Sequence, residues 1–123
     1  MTLSELIAKV NREKPNAFSN EVLTGYVNEV EAIVYNFIET DEEERRYYTW
    51  ADDQATELVV KAPYDTMYES YVKAKIDYAT EEYQSYANNQ AQFSSDVEAW
   101  EAYAMRKHQV NTSELPKQII NWF

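Results

Sequence analysis

Any catalysis by this chain would have to start from its carboxylates, because the other residues that do chemistry are nearly absent. The 123 residues include no cysteine, one histidine and one glycine. A Cys-His pair, a two-histidine zinc site, the Glu-x-x-His motif of di-iron bundles and a glycine-rich phosphate loop are thereby excluded. His108 follows Arg106 and Lys107, where it reads as a cation favourable to a helix C-terminus, without a neighbouring nucleophile to serve as general base. Acids cluster at Asp52-Asp53 and at Asp77 with Glu81-Glu82. Oxygen ligands of that kind can hold a hard cation, but on a chain with 22 acids they read as solvated faces. The expectation is a protein that is not an enzyme, with no catalytic residue, no cofactor and no metal.

Charge narrows the partners further. With 22 acids against 11 bases the formal charge is −11, so nucleic-acid phosphates meet a repulsive field. The lack of cysteine removes disulfides and is compatible with a reducing compartment. No apolar run approaches the roughly 18 residues of a membrane span, and Met1-Thr2-Leu3-Ser4-Glu5 lacks the basic-then-apolar order of a signal peptide. A soluble protein that stays where it is made is expected.

The elements that would carry interaction surfaces are helical. A hydrophobic content of 45%, with 15% aromatics, is enough to build one core, and a single glycine with three prolines leaves few turn signals for strands. The expected architecture is an all-α small bundle with a long C-terminal helical hairpin or bent helix and an extended C-terminal tail. Its boundaries are a single helical domain over 1–110 and a tail over 111–123.

Thr2 and Glu5 form a capping box ahead of Leu6, Ile7 and Val10, and that helix should stop before Pro15. Ser19 or Asn20 caps a second helix, whose broad apolar stripe runs through Val22, Leu23, Tyr26, Val27, Val30, Ile33, Val34, Phe37 and Ile38. Gly25 sits inside it, which predicts close approach by a neighbouring helix. The acidic run Asp41 to Glu44, followed by Arg45-Arg46, should be a helix end or a solvated loop. Glu57 to Lys61 is β-branched but too short to stand as a lone strand, so it reads as a connector packed on the core.

Pro63 or Asp65 suits the start of the strongest helix, with Tyr68, Tyr71, Val72, Ile76 and Ala79 on one face. The stripe continues through Tyr83, Tyr86, Gln90, Phe93, Val97, Trp100 and Ala104 as a heptad seam. Unbroken from 65 to 107 it would extend on the order of 60 Å, more than a compact domain of this size spans. A break is expected at Thr80, read as an N-cap before Glu81-Glu82, with Ser95-Asp96-Val97-Glu98 as the other candidate.

Eleven tyrosines are the unusual feature. Each offers apolar area with a polar tip, suited to surfaces buried on association or to the edge of a core. Stacking on single-stranded nucleic acid needs a basic groove, and the neighbours here are acids. The chain finishes with Ile119-Ile120-Asn121-Trp122-Phe123, an apolar run that wants cover from its own core or from a neighbouring subunit. Candidate interface residues are Tyr64, Tyr68, Tyr71, Ile119, Ile120, Trp122 and Phe123.

The stretch Ala62-Pro63-Tyr64-Asp65-x-x-Tyr68-x-x-Tyr71-x-x-Ala74-x-Ile76-Asp77, then Glu82-x-x-x-Tyr86-x-Asn88-Asn89 and Phe93, resembles head-tail connector proteins of tailed bacteriophages. The nearest type is the head-completion adaptor that docks under the portal, and the likeness covers about residues 55 to 107. It departs in Ala79-Thr80-Glu81, where Asn or Gly would be expected at the turn, and in Ala87. The resemblance implies helical subunits that form a ring around the DNA channel in the virion neck. It also implies portal and tail or stopper proteins as partners, and assembly in the host cytoplasm from subunits that can be monomeric in isolation. Carboxylates lining such a ring would repel DNA and let it slide. The alternative is an acidic DNA-mimic inhibitor of a nucleic-acid enzyme, with carboxylates spaced like phosphates and a complex weakened by salt.

Overall fold

The structure is a computed structural model and describes residues 1–111, with side chains described to residue 108. Over these residues the chain forms five α-helices: α1 (Leu3–Glu13), α2 (Asn20–Phe37), α3 (Trp50–Asp53), α4 (Thr66–Ala79) and α5 (Tyr83–Asn111). A 3-10 turn occupies Glu42–Glu44, within the exposed acidic run, and one antiparallel bridge joins Thr2 to Glu57. Of the extended tail expected over 111–123, Asn111 is the last residue of α5 and the rest lies outside the described residues.

Helix α1 starts as its first residues dictate. Thr2 Oγ1 accepts from the Glu5 N–H at 3.3 Å, and the Glu5 carboxylate accepts from the Thr2 N–H at 2.9 Å. The Leu3 and Ser4 N–H groups, unpaired within the helix, donate to Thr56 and Gln54 carbonyls, so the loop after α3 seals this end. Leu3, Leu6, Ile7 and Val10 then form the buried stripe. Ser19 caps α2 by accepting from the Val22 N–H at 3.2 Å. Leu23, Val27, Val30 and Val34 face the core, whereas Val22 and Ile33 are exposed, so the stripe is narrower than its apolar residues imply.

Side-chain pairs fix how the helices lie. Lys9 meets Glu69, Glu13 meets Lys73 and Lys14 meets Asp77, an ascending series that sets α1 parallel to α4. Glu31 with Tyr68, Glu29 with Tyr71 and Tyr26 with Lys75 descend in register, so α2 runs antiparallel to α4. α5, 29 residues and about 44 Å long at 1.5 Å per residue, returns along α4 through Asp77 with Ser85, Tyr71 with Phe93 and Ser70 with Asp96. Leu58 and Val60 of the connector are buried among these helices, as the sequence predicts.

The hairpin breaks where expected but by a different mechanism. Thr80 closes α4 instead of opening α5: its hydroxyl donates to the Ile76 carbonyl at 2.9 Å, and it stands as the C-cap. Glu81 then takes φ 59°, the left-handed region that Asn or Gly adopts at least cost. Ser95 lies inside α5 and marks no break.

Gly25 is a correction. A Cβ placed there would meet nothing within 4 Å, so no neighbouring helix approaches it. Gly25→Ala should therefore gain the helix propensity of alanine, about 1 kcal/mol, and raise the melting temperature. A fall in melting temperature would contradict the open surface at this position.

Candidate interaction surfaces and the polar network behind them

The tyrosines on α4 divide by the direction each faces. Tyr68 has no exposed surface; its hydroxyl donates to Glu31 Oε1 at 2.6 Å and accepts from the Val60 N–H at 2.9 Å. It is a core residue, which corrects its reading as an interface candidate. Its ring faces α2, and a buried carboxylate there requires donors. Tyr71 is half-buried, with its ring 4.9 Å from that of Phe93, its hydroxyl 2.6 Å from Glu29 Oε1 and the Lys75 ammonium 5.4 Å over its face. Tyr64 is half-buried and stacks on Tyr103 at 4.9 Å between ring centroids. Tyr71 holds α4 to α5, and Tyr64, just before α4, holds the connector to α5; each leaves an edge to solvent. Ile119, Ile120, Trp122 and Phe123 lie outside the described residues.

Among the described residues the most exposed aromatic rings are instead at the α4–α5 turn. Tyr78 is 62% exposed and Tyr83 58%, and the Tyr78 ring lies 6.3 Å from Tyr83 and 5.4 Å from Tyr86. A turn of three residues folds both helix ends onto one spot, bringing Tyr78, which lies off the apolar stripe, against Tyr83 and Tyr86, which read along the sequence as seam positions. Recognising that Thr80 to Glu82 reverses the chain would have found the cluster. Beside it a cleft of about 330 Å³ is lined by Tyr71, Lys75, Tyr86 and Gln90.

Behind these faces lie acids that sequence reasoning missed. Glu31 is fully buried and accepts from the Tyr68 hydroxyl, from the Val59 N–H at 3.1 Å and from the Tyr48 hydroxyl in a very short hydrogen bond. Burial pushes its carboxyl above the usual range against the pull of these donors, and burial with the adjacent negative charge drives the Tyr48 and Tyr68 hydroxyls far upward. The tyrosines are thus fixed as hydrogen-bond donors. The signal was an acid on the inward stripe of α2, four residues after Val27 and three before Val34.

Asp77 is likewise fully buried, which corrects its reading as part of a solvated acidic face. Lys14 Nζ lies 2.5 Å away, and Ser85 Oγ and Asn89 Nδ2 each donate at 2.7 Å. Glu81 and Glu82 are exposed, and Glu82 shares Lys14 at 3.2 Å. Asp53 accepts from the Thr49 N–H at 2.8 Å, holding the start of α3. Among the described residues no group of three acids or histidines is placed to hold a metal ion, and no helix is long and apolar enough to cross a membrane. Of the buried acids, Glu31, Glu69 and Asp77 are engaged by partners within the fold.

Comparison with protein-family models, with curated proteins and with solved structures finds no match to this chain.

Asp77 supplies a pH test. Burial raises its carboxyl, but hydrogen bonds from Lys14, Ser85 and Asn89 outweigh that and hold it below the ordinary 3.8. Its stabilisation is therefore fully present above that unfolded-state value and is lost as pH falls through the lower folded value. Asp77→Asn leaves Lys14 without its main partner and should cost about 3 kcal/mol at pH 7. Urea unfolding should show that difference shrinking below about pH 4; a deficit that stays constant to pH 2.5 would contradict the pairing.

Proposed function

We propose that this protein is a structural head-tail connector of a tailed bacteriophage, an adaptor that docks on the portal and joins capsid to tail as a ring around the DNA channel. The observation that carries the reading is the tyrosine cluster of Tyr78, Tyr83 and Tyr86 at the α4–α5 turn. Tyrosine is among the residues enriched at protein interfaces, because its ring gives large contact area at low entropic cost while its hydroxyl tolerates water beforehand. Two rings more than half exposed on an otherwise acidic surface are a natural anchor for a partner.

Other features support the same reading. The resemblance to connector proteins spans α4, the turn and most of α5, the hairpin that carries the cluster. Acids that could have been reactive are tied into holding helices together, as suits a body that offers faces instead of chemistry. A charge of −11 on a ring subunit would keep DNA phosphates from adhering to the channel.

Imaging the purified protein mixed with portal rings of tailed phages tests this. Ordered density on the portal is expected, and Tyr78→Ala with Tyr83→Ala should weaken that binding by roughly 30-fold or more, a hot-spot loss near 2 kcal/mol. The variant's unfolding transition should stay unchanged. No portal density, combined with tight and salt-sensitive inhibition of a nuclease, would replace this reading with the DNA mimic.

A further inference from the structure

We infer that the tip of the α4–α5 hairpin docks into a groove at the far end of a second copy of this chain, so that subunits join head to tail. This names the partner of the tyrosine cluster, and it rests on the reading of that cluster as an interface. The groove, about 290 Å³, lies between the Val59–Tyr64 connector and the last turns of α5 and is lined by Ile38, Val60, Trp100 and Tyr103 among others. Its walls join the core: Val60 is 2% exposed, and the Trp100 ring lies 5.4 Å from that of Phe37. Tyr64, stacked on Tyr103, also lines it. Such a pair offers ring faces and edges to an incoming tyrosine whose hydroxyl stays in water.

Charge selects the occupant. Lys61 and Lys107 line the groove on a chain of net charge −11. Lys61 meets Glu57 at 3.5 Å, whereas Lys107 is exposed and forms no ion pair among the described residues. Apolar walls with lysines beside them fit aromatic rings flanked by carboxylates, and the hairpin tip presents that pattern. Exposed Glu81 and Glu82 stand between the exposed rings of Tyr78 and Tyr83 in sequence. Glu82 shares Lys14, and Glu81 forms no ion pair among the described residues.

Geometry makes the contact one between copies. Tyr83 and Lys107 lie about 36 Å apart along α5 at 1.5 Å per residue, so a tip cannot reach its own groove. Two tips meeting would oppose the acids of both copies, and two grooves meeting would oppose their lysines, which like-charge repulsion disfavours. Of the three pairings, tip to groove alone sets acid against base. A heterologous contact of this kind closes into a ring when its rotation permits. Its loss would weaken portal binding by opening that ring.

Carbodiimide coupling, which joins a carboxylate to an amine in direct contact, tests this on the full chain. In an equal mixture of isotope-labelled and unlabelled protein at up to about 1 mM, Glu81 or Glu82 should link to Lys107 or Lys61 between labelled and unlabelled chains. Sedimentation should show a mass that rises with concentration. Glu81→Lys and Lys107→Glu should each weaken that association about tenfold or more, and the two reversals combined in one chain should restore it. A monomer at every concentration, links confined to other faces, or no restoration by the double reversal would overturn the proposal. Tip-to-groove links without density on the portal would overturn the connector reading and leave this one standing, whereas portal density without those links would overturn this one alone.

Discussion

A carboxylate removed from water costs several kcal/mol unless protein donors replace the lost hydration, and Glu31 has no exposed surface at all. Its donors come from three places: the Tyr48 hydroxyl in the loop before α3, the Val59 amide in the connector, and the Tyr68 hydroxyl on α4. Tyr68 in turn accepts from Val60. The stretch from residue 38 to 65 has little regular structure and a poor hydrophobic period, so packing alone specifies it weakly. The buried acid on α2 specifies it strongly, since each donor left out of place exposes the carboxylate to an uncompensated environment costing about 1–3 kcal/mol.

Asp77 performs a related task at the opposite end of α4. It gathers Lys14 from α1 with Ser85 and Asn89 from α5, and so fixes the α4–α5 turn against the N-terminal helix. Together the two acids hold both ends of α4, while Lys9 with Glu69 and Lys73 with Glu13 set its side against α1. For the proposed association, rigidity at the turn would let Tyr78 and Tyr83 meet a partner with little backbone ordering still to be done. The polar network and the exposed tyrosines are therefore linked: the first positions the second.

Much of the helical frame was legible from local rules. The Thr2–Glu5 box, the Ser19 cap, the stop before Pro15 and the inward positions of α1 follow from capping and period alone. Thr80 marked the right place for the break, but a threonine near a helix end can accept from the amides of a following helix or donate back to the preceding one. Only the left-handed Glu81 decides between these. Tyr68 and Tyr78 show why the surface was harder to read. Both are tyrosines of one helix; period places Tyr68 on the inward face with Val72 and Ile76, but the acid that binds its hydroxyl there lies 37 residues away in sequence. Gly25 shows the converse, a residue whose composition implied contact where the fold leaves open space.

The central claim is that Glu31 and Tyr68 act as one unit in holding the connector to the bundle. A double-mutant cycle with Glu31→Gln and Tyr68→Phe, followed by urea unfolding at pH 7, measures that directly. The account predicts that the single losses fail to add, with an interaction energy of about 1–3 kcal/mol. Losses that add to within about 0.3 kcal/mol would contradict it, since the two groups would then contribute independently.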